Sequence, residues 1–143
     1  MAHPDLDGLL NTLYPAAQQF LKKHGEFYPF GATVDKEGKT ALVSPLTSDE
    51  HPASQEVIDQ LTRAFCDAAR KGLIRASGLC YDARVIPPGQ TEKCDAICAQ
   101  VEHENGESFV ACLPYRKTLF GIIKYGEVFA SRQDRTVFVS HGG

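Results

Sequence analysis

The sequence predicts an α+β fold: an antiparallel sheet of about five to six strands with two main helices packed on one face. Three observations lead there. Two stretches repeat apolar residues at three- and four-residue spacing, the mark of a helix with one buried side. Asn105-Gly106 lies between two strand-like runs and is the strongest short hairpin signal in the chain. A second turn, Asp35-Lys-Glu-Gly38, separates two further extended runs.

The first helix is read from Leu6, Leu9, Leu10, Leu13, Tyr14, Ala17, Phe20 and Leu21, capped by His3 or Asp5 and closed by Gly25. Lys22, Lys23 and His24 suit its C-terminal dipole, and Pro15 is expected to kink or split it. Phe27–Val34 and Lys39–Val43 form the first hairpin; Pro29 lacks a ladder donor, so the first strand is expected to start after it or to run along an edge. A polar loop over 44–53 precedes a second helix, N-capped by Ser54, with Val57, Ile58, Leu61, Ala64, Phe65, Ala68 and Ala69 in its buried stripe and Gly72 as its stop.

The remainder reads as sheet. Ile74–Val85 is a strand, 86–93 a loop, and Asp95–Glu104 pairs with Glu107–Tyr115. Phe120–Ala130 is extended but broken at Gly121 and Gly126, and Thr136–Val139 suggests a short last strand. A two-residue turn at 105–106 places Val101 opposite Val110 and Ala99 opposite Cys112. Both faces of that hairpin are then substantially apolar, so something must cover each. A second subunit is one candidate, two-fold dimers being the commonest oligomers; a layer built by the C-terminal segment is the other.

A chain of 143 residues fits one domain, 1–143, that buries roughly two-thirds of its unfolded surface. Fifteen basic against eighteen acidic residues leave a net charge of −3, which argues against nonspecific binding to nucleic acid or anionic membrane. No apolar run is long enough to span a bilayer, and the start has no basic signal-peptide region, so a cytoplasmic protein is expected. Five cysteines cannot all pair internally and are expected to stay reduced.

Familiar motifs fail on inspection. Gly38-Lys39-Thr40 resembles the tail of a phosphate-binding loop, but position 33 is Thr where Gly is required and a strand follows. Cys94 and Cys98 would lie about 13 Å apart on a strand, too far to share one zinc ion. In Glu102-His103-Glu104 the imidazole points away from both carboxylates, beside a turn expected to be solvated. No catalytic metal or cofactor signature is present, and none is expected. Asp82 and Arg84 share a strand face; with Glu102, His103 and Tyr115 they form the candidate small-ligand site. Tyr115-Arg116-Lys117 and Lys124-Tyr125 place cations and aromatic rings at strand ends, which suits a partner-binding rim as well as a ligand pocket.

Phe27-Tyr-Pro-Phe-Gly-Ala32, with the Asp-x-x-Gly turn after it, resembles a family of small bacterial α+β proteins. Asp95-Ala-Ile97, Glu102-His103, Leu113-Pro-Tyr115 and Tyr125-Gly-Glu127 extend the resemblance over most of the chain. It implies a single domain and carries over no activity. The element order also looks like regulatory domains of the roadblock/profilin-like type, a fold-level analogy. Two functions follow as expectations: a non-catalytic, homodimeric protein-interaction or regulatory domain, or a ligand-binding protein or enzyme built on the five candidate residues.

Overall fold

The computed structural model describes residues 2–44 and 54–139. Helix α1 (Pro4–His24) is followed by strands β1 (Phe30–Asp35) and β2 (Thr40–Val43), then helix α2 (Ser54–Arg70). Strands β3 (Ile74–Val85), β4 (Cys94–His103), β5 (Ser108–Lys117), β6 (Ile123–Tyr125) and β7 (Phe129–Arg132) complete it. The seven strands form one sheet ordered β2-β1-β3-β4-β5-β6, and β7 also pairs with β5. Every pairing is antiparallel. The α+β class stands, with a sheet somewhat larger than expected. The loop expected over 44–53 lies almost wholly outside the described residues. No described helix is long and apolar enough to cross a membrane.

The helices do not share a face. Leu9 and Leu13 of α1 lie over Gly78, whereas Phe65 of α2 lies over Gly31. Gly78 pairs with Ala32 and Gly31 with Leu79, so the two glycines point to opposite sides of the sheet. The physical reason is legible in β3, where Ala76 to Cys80 is buried at every position. A strand buried on both faces needs a cover on each.

The α1 side holds the larger core: Leu6, Leu9, Leu13 and Leu21 against Val34, Ile97 and Val101, among others. On the other side Val57, Leu61 and Phe65 pack on Ile74 and Leu79, joined by Val137 and Phe138. Segment 136–138 adds no strand but lies against this second core. Pro15 neither splits nor ends α1. It sits on the exposed side of the helix, where the Asn11 carbonyl it leaves unpaired can meet water. His3 caps the helix through Nδ1, which accepts from the Asp5 N–H at 3.0 Å, and Gly25 ends it at φ 73°.

The β4–β5 register differs by one residue from the two-residue-turn expectation. His103 donates its N–H to the Glu107 carbonyl at 2.9 Å, leaving a three-residue loop, 104–106. Gly106 takes a φ of 106°, and the Asn105 side chain accepts from the Glu107 N–H at 2.9 Å, which fixes the longer turn. Val101 therefore faces Phe109, Ala99 faces Ala111 and Cys98 faces Cys112. The slip moves all of β5 to the opposite face from the one expected.

The close approach at Gly31 yields a prediction. A Cβ there would lie 2.6 Å from the Phe65 ring and 2.7 Å from the Gly78 carbonyl oxygen, so Gly31→Ala forces backbone apart. Urea denaturation is expected to show a loss of about 1–3 kcal/mol. Gly8 in α1 has nothing within 4 Å of its Cβ position. Gly8→Ala is expected to add about 0.5–1 kcal/mol.

Candidate functional site

The five residues singled out from sequence are distributed over three places. Asp82 and Tyr115 meet on the α1 side of the sheet, where the Tyr115 hydroxyl donates to the Asp82 carboxylate at 2.9 Å. Burial raises the Asp82 pKa against the opposing effect of this bond, and burial followed by the Asp82 charge raises that of Tyr115. Arg84 lies two residues along and faces Asp95 at 3.6 Å, both exposed. His103 is six residues from Ile97, the partner of Asp82, or about 20 Å along the strand. Glu102 is on the other face. No single pocket takes in all five.

Glu102 and His103 are not solvated, contrary to the expectation for a hairpin tip: they are only 2% and 5% exposed. The Glu102 carboxylate accepts from three consecutive backbone N–H groups: Thr136 at 2.7 Å, Val137 at 2.9 Å, and Phe138. Successive N–H groups converging on one carboxylate supply the hydrogen bonds a buried charge requires. Its work is to pin the C-terminal segment over the α2 side of the sheet.

His103 belongs to a network at the start of α1. Its Nδ1 accepts from the Asn105 N–H at 3.1 Å, so Nε2 carries the proton and donates to Asp5 Oδ2 at 3.0 Å. Arg75 donates to both oxygens of the same carboxylate through Nε at 2.8 Å and Nη2 at 3.0 Å. A β-bulge aims it there, because Val34 pairs with Ala76 and Asp35 with Ile74, leaving Arg75 between them. The His3 ring stacks on His103 at 4.0 Å. His3, Asp5 and His103 offer ligand atoms within 4.8 Å of one another, the spacing of a metal centre. The guanidinium already occupies the cation position beside Asp5, and His103 presents a proton rather than a lone pair. The cluster is an ionic clamp between helix and sheet. Burial acts to raise the Asp5 pKa, but the Arg75 and His103 bonds outweigh it and hold the carboxyl below its usual value.

The other end of the molecule differs in character. Strands β5 and β6 form a hairpin whose tip, 118–122, is tightly built. The Thr118 N–H donates to the Ile122 carbonyl at 2.8 Å, the Gly121 N–H to the Thr118 carbonyl at 3.1 Å, and the Ile122 N–H to Thr118 Oγ1 at 3.2 Å. This ordered turn holds Leu119 and Phe120 wholly in solvent, 101% and 90% exposed, with Ile122 at 60%. Arg116 and Lys124 face each other directly across the hairpin. Neither forms an ion pair among the described residues. A groove of about 570 Å³ runs along this side of the tip, and one of about 560 Å³ lies between the hairpin and Pro15, Gln18 and Lys22 of α1.

Sequence reasoning marked Arg116, Lys117, Lys124 and Tyr125 as a partner-binding rim but missed Leu119 and Phe120. The available signal was Leu-Phe-Gly flanked by cations, with glycine positioned to close a turn.

The thiols are free. Cys98 and Cys112 face each other at 2.9 Å between their sulfurs. Counting back from the hydrogen-bonded pair at His103 and Glu107 puts them at a non-hydrogen-bonded position, where side chains lie closest. Their mutual hydrogen bond and then burial raise the Cys98 pKa, and burial raises that of Cys80. In the native protein a thiol reagent is expected to modify Cys94 first and Cys66 more slowly, with Cys80, Cys98 and Cys112 reacting only on unfolding. A rapid native reaction of Cys98 would contradict this packing.

The clamp gives a pH prediction. A carboxyl whose folded pKa lies below its unfolded value of about 3.9 stabilises the fold above that pH. The contribution is lost as pH falls through the folded value. The stability advantage of wild type over Asp5→Asn is therefore expected to shrink on acidification below about pH 4. Denaturation at stepped pH reads it directly. Comparison with protein families, curated proteins and solved structures finds no match for this chain.

Proposed function

We propose that this chain is a non-catalytic interaction domain that engages its partner through the β5–β6 hairpin. The observation that carries the reading is the pair Leu119 and Phe120, fully exposed at the apex of a turn closed by three hydrogen bonds. Exposing two large apolar side chains costs solubility, and an ordered turn that presents them lowers the entropy lost on binding. Arg116, Lys117 and Lys124 form the polar rim around this apolar centre, the usual anatomy of a protein-binding patch.

The alternative small-ligand reading lacks comparable support. Asp82 and Tyr115 bond each other, His103 is committed to Asp5, and Glu102 is committed to the C-terminal segment. Self-association through the sheet has a smaller basis than the hairpin tip: α2 and segment 136–138 pack over β1 and β3, and what remains on that face is Ala96, Cys98 and Cys112 beneath half-buried Tyr81, Val110 and Phe129. The hairpin is also poorly suited to pairing with itself across a two-fold axis, since its cations would meet like charges. A soluble protein partner fits better than nucleic acid or a bilayer, given the overall charge of −3.

Placing the photoreactive residue benzoylphenylalanine at position 120 tests the reading in the protein's own cells. Position 73 serves as a control, since Leu73 is 59% exposed at the other end of the strands. Crosslinked product is expected at 120 and not at 73. Equal yields, or none at either position, would remove the hairpin as a docking element.

A further inference from the structure

Resting on that docking role, we infer that the partner presents an apolar cleft edged by carboxylates, into which the Leu119-Phe120 tip inserts. The argument starts from a local cost. Arg116 and Lys124 are direct cross-strand partners, an arrangement in which like charges destabilise a hairpin. Ile123 and Tyr125 of β6 are anchored on the α1 side, against the core and the Tyr115 ring, but no described acid pairs with either cation on the opposite side. An anionic group from outside would turn the repulsion into two attractive contacts.

The cations are also placed to act together. Arg116 and Lys124 lie on the α2 side of the hairpin. Lys117 lies on the other, where it donates to the Gly25 carbonyl at the end of α1. Lys22 of α1 lines the groove on that same side, with Ile122, Ile123 and Tyr125. Positive charge therefore flanks the apolar tip on both sides, while the chain as a whole carries −3. The remaining surface is correspondingly acidic.

Shape selects among anionic partners. The tip stands between two concave grooves of about 560 and 570 Å³, which can receive side chains projecting from a partner. A cleft in a folded protein can interlock with a ridge and two grooves, whereas a fluid bilayer surface has no fixed projections to fill them. Carboxylates at the cleft edge would meet Arg116 and Lys124 in a partly desolvated rim, where charge complementarity sets both encounter rate and register.

Arg116→Glu separates binding from folding. It replaces a like-charge cross-strand pair with an opposite-charge one, so the melting temperature is expected to hold or rise. Capture by a photoreactive group at 120 is nevertheless expected to fall about tenfold. Arg63→Glu, an equal charge change at an exposed site on α2, should leave capture unchanged. Mass spectrometry of the product should place the crosslink in a protein segment with carboxylates beside apolar residues. Vesicles of phosphatidylcholine with phosphatidylglycerol should not retain the protein. Attachment to lipid, to a second copy of this chain or to a segment without acids would overturn the inference. So would vesicle retention, or equal losses in the two charge variants. Complete absence of product at 120 would instead defeat the docking role itself.

Discussion

Gly31 and Gly78 lie on neighbouring strands and point to opposite sides of the sheet, and the rest of the structure is arranged around that fact. With no side chain at either position, Phe65 can lie against β1 on one side while Leu13 lies against β3 on the other. The strands between them are consequently dry on both faces, with the α1 core and the α2 core separated by one sheet thickness and a third, smaller cluster at Ala96, Cys98 and Cys112. Each layer is also fastened to the sheet by a buried or half-buried carboxylate. For α1 the fastening is the Asp5 carboxylate, bridging Arg75 of the β3 bulge and His103 of β4. For the α2 side it is Glu102, which draws segment 136–138 onto the sheet. Adjacent residues of β4, pointing in opposite directions, thus secure opposite layers.

The elements were largely legible in the sequence because local rules govern them. Leucine spacing and the caps at His3 and Gly25 fix α1, and Val57, Leu61 and Phe65 mark the buried side of α2. What the chain does over long distances was less legible. Helical periodicity shows which side of a helix is buried but not which sheet face receives it. The continuous burial from Ala76 to Cys80 does carry that information, yet small residues such as Ala, Ser and Gly make weak hydrophobic signals. The β4–β5 register turned on one Asn105 side chain, which favoured a three-residue loop over the two-residue turn that Asn-Gly suggests.

The candidate site shows the same division. Asp82 and Tyr115 meet because the slipped β4–β5 register turns Tyr115 onto the face of Ile97 and Asp82, opposite to the face its expected pairing gave it. Glu102 and His103 look like a solvated hairpin tip because their partners, Thr136 to Phe138 and Asp5, are distant in sequence. The burial of such groups depends wholly on contacts the local sequence does not encode. Conversely, Phe120 reads as the start of an extended run and Leu119 belongs to no element, and only the turn geometry reveals that nothing in the described chain covers them.

The Glu102 arrangement bears on the order in which the domain can be completed. Its three backbone donors lie 34 to 36 residues further along the chain. During synthesis the β3–β4–β5 meander can therefore pair before any of those donors has emerged. Until then the carboxylate must keep its water, and the α2 side of the sheet cannot dry around it. The second core is thus the last to close, and its closure waits on the arrival of a few residues that belong to neither a helix nor a strand.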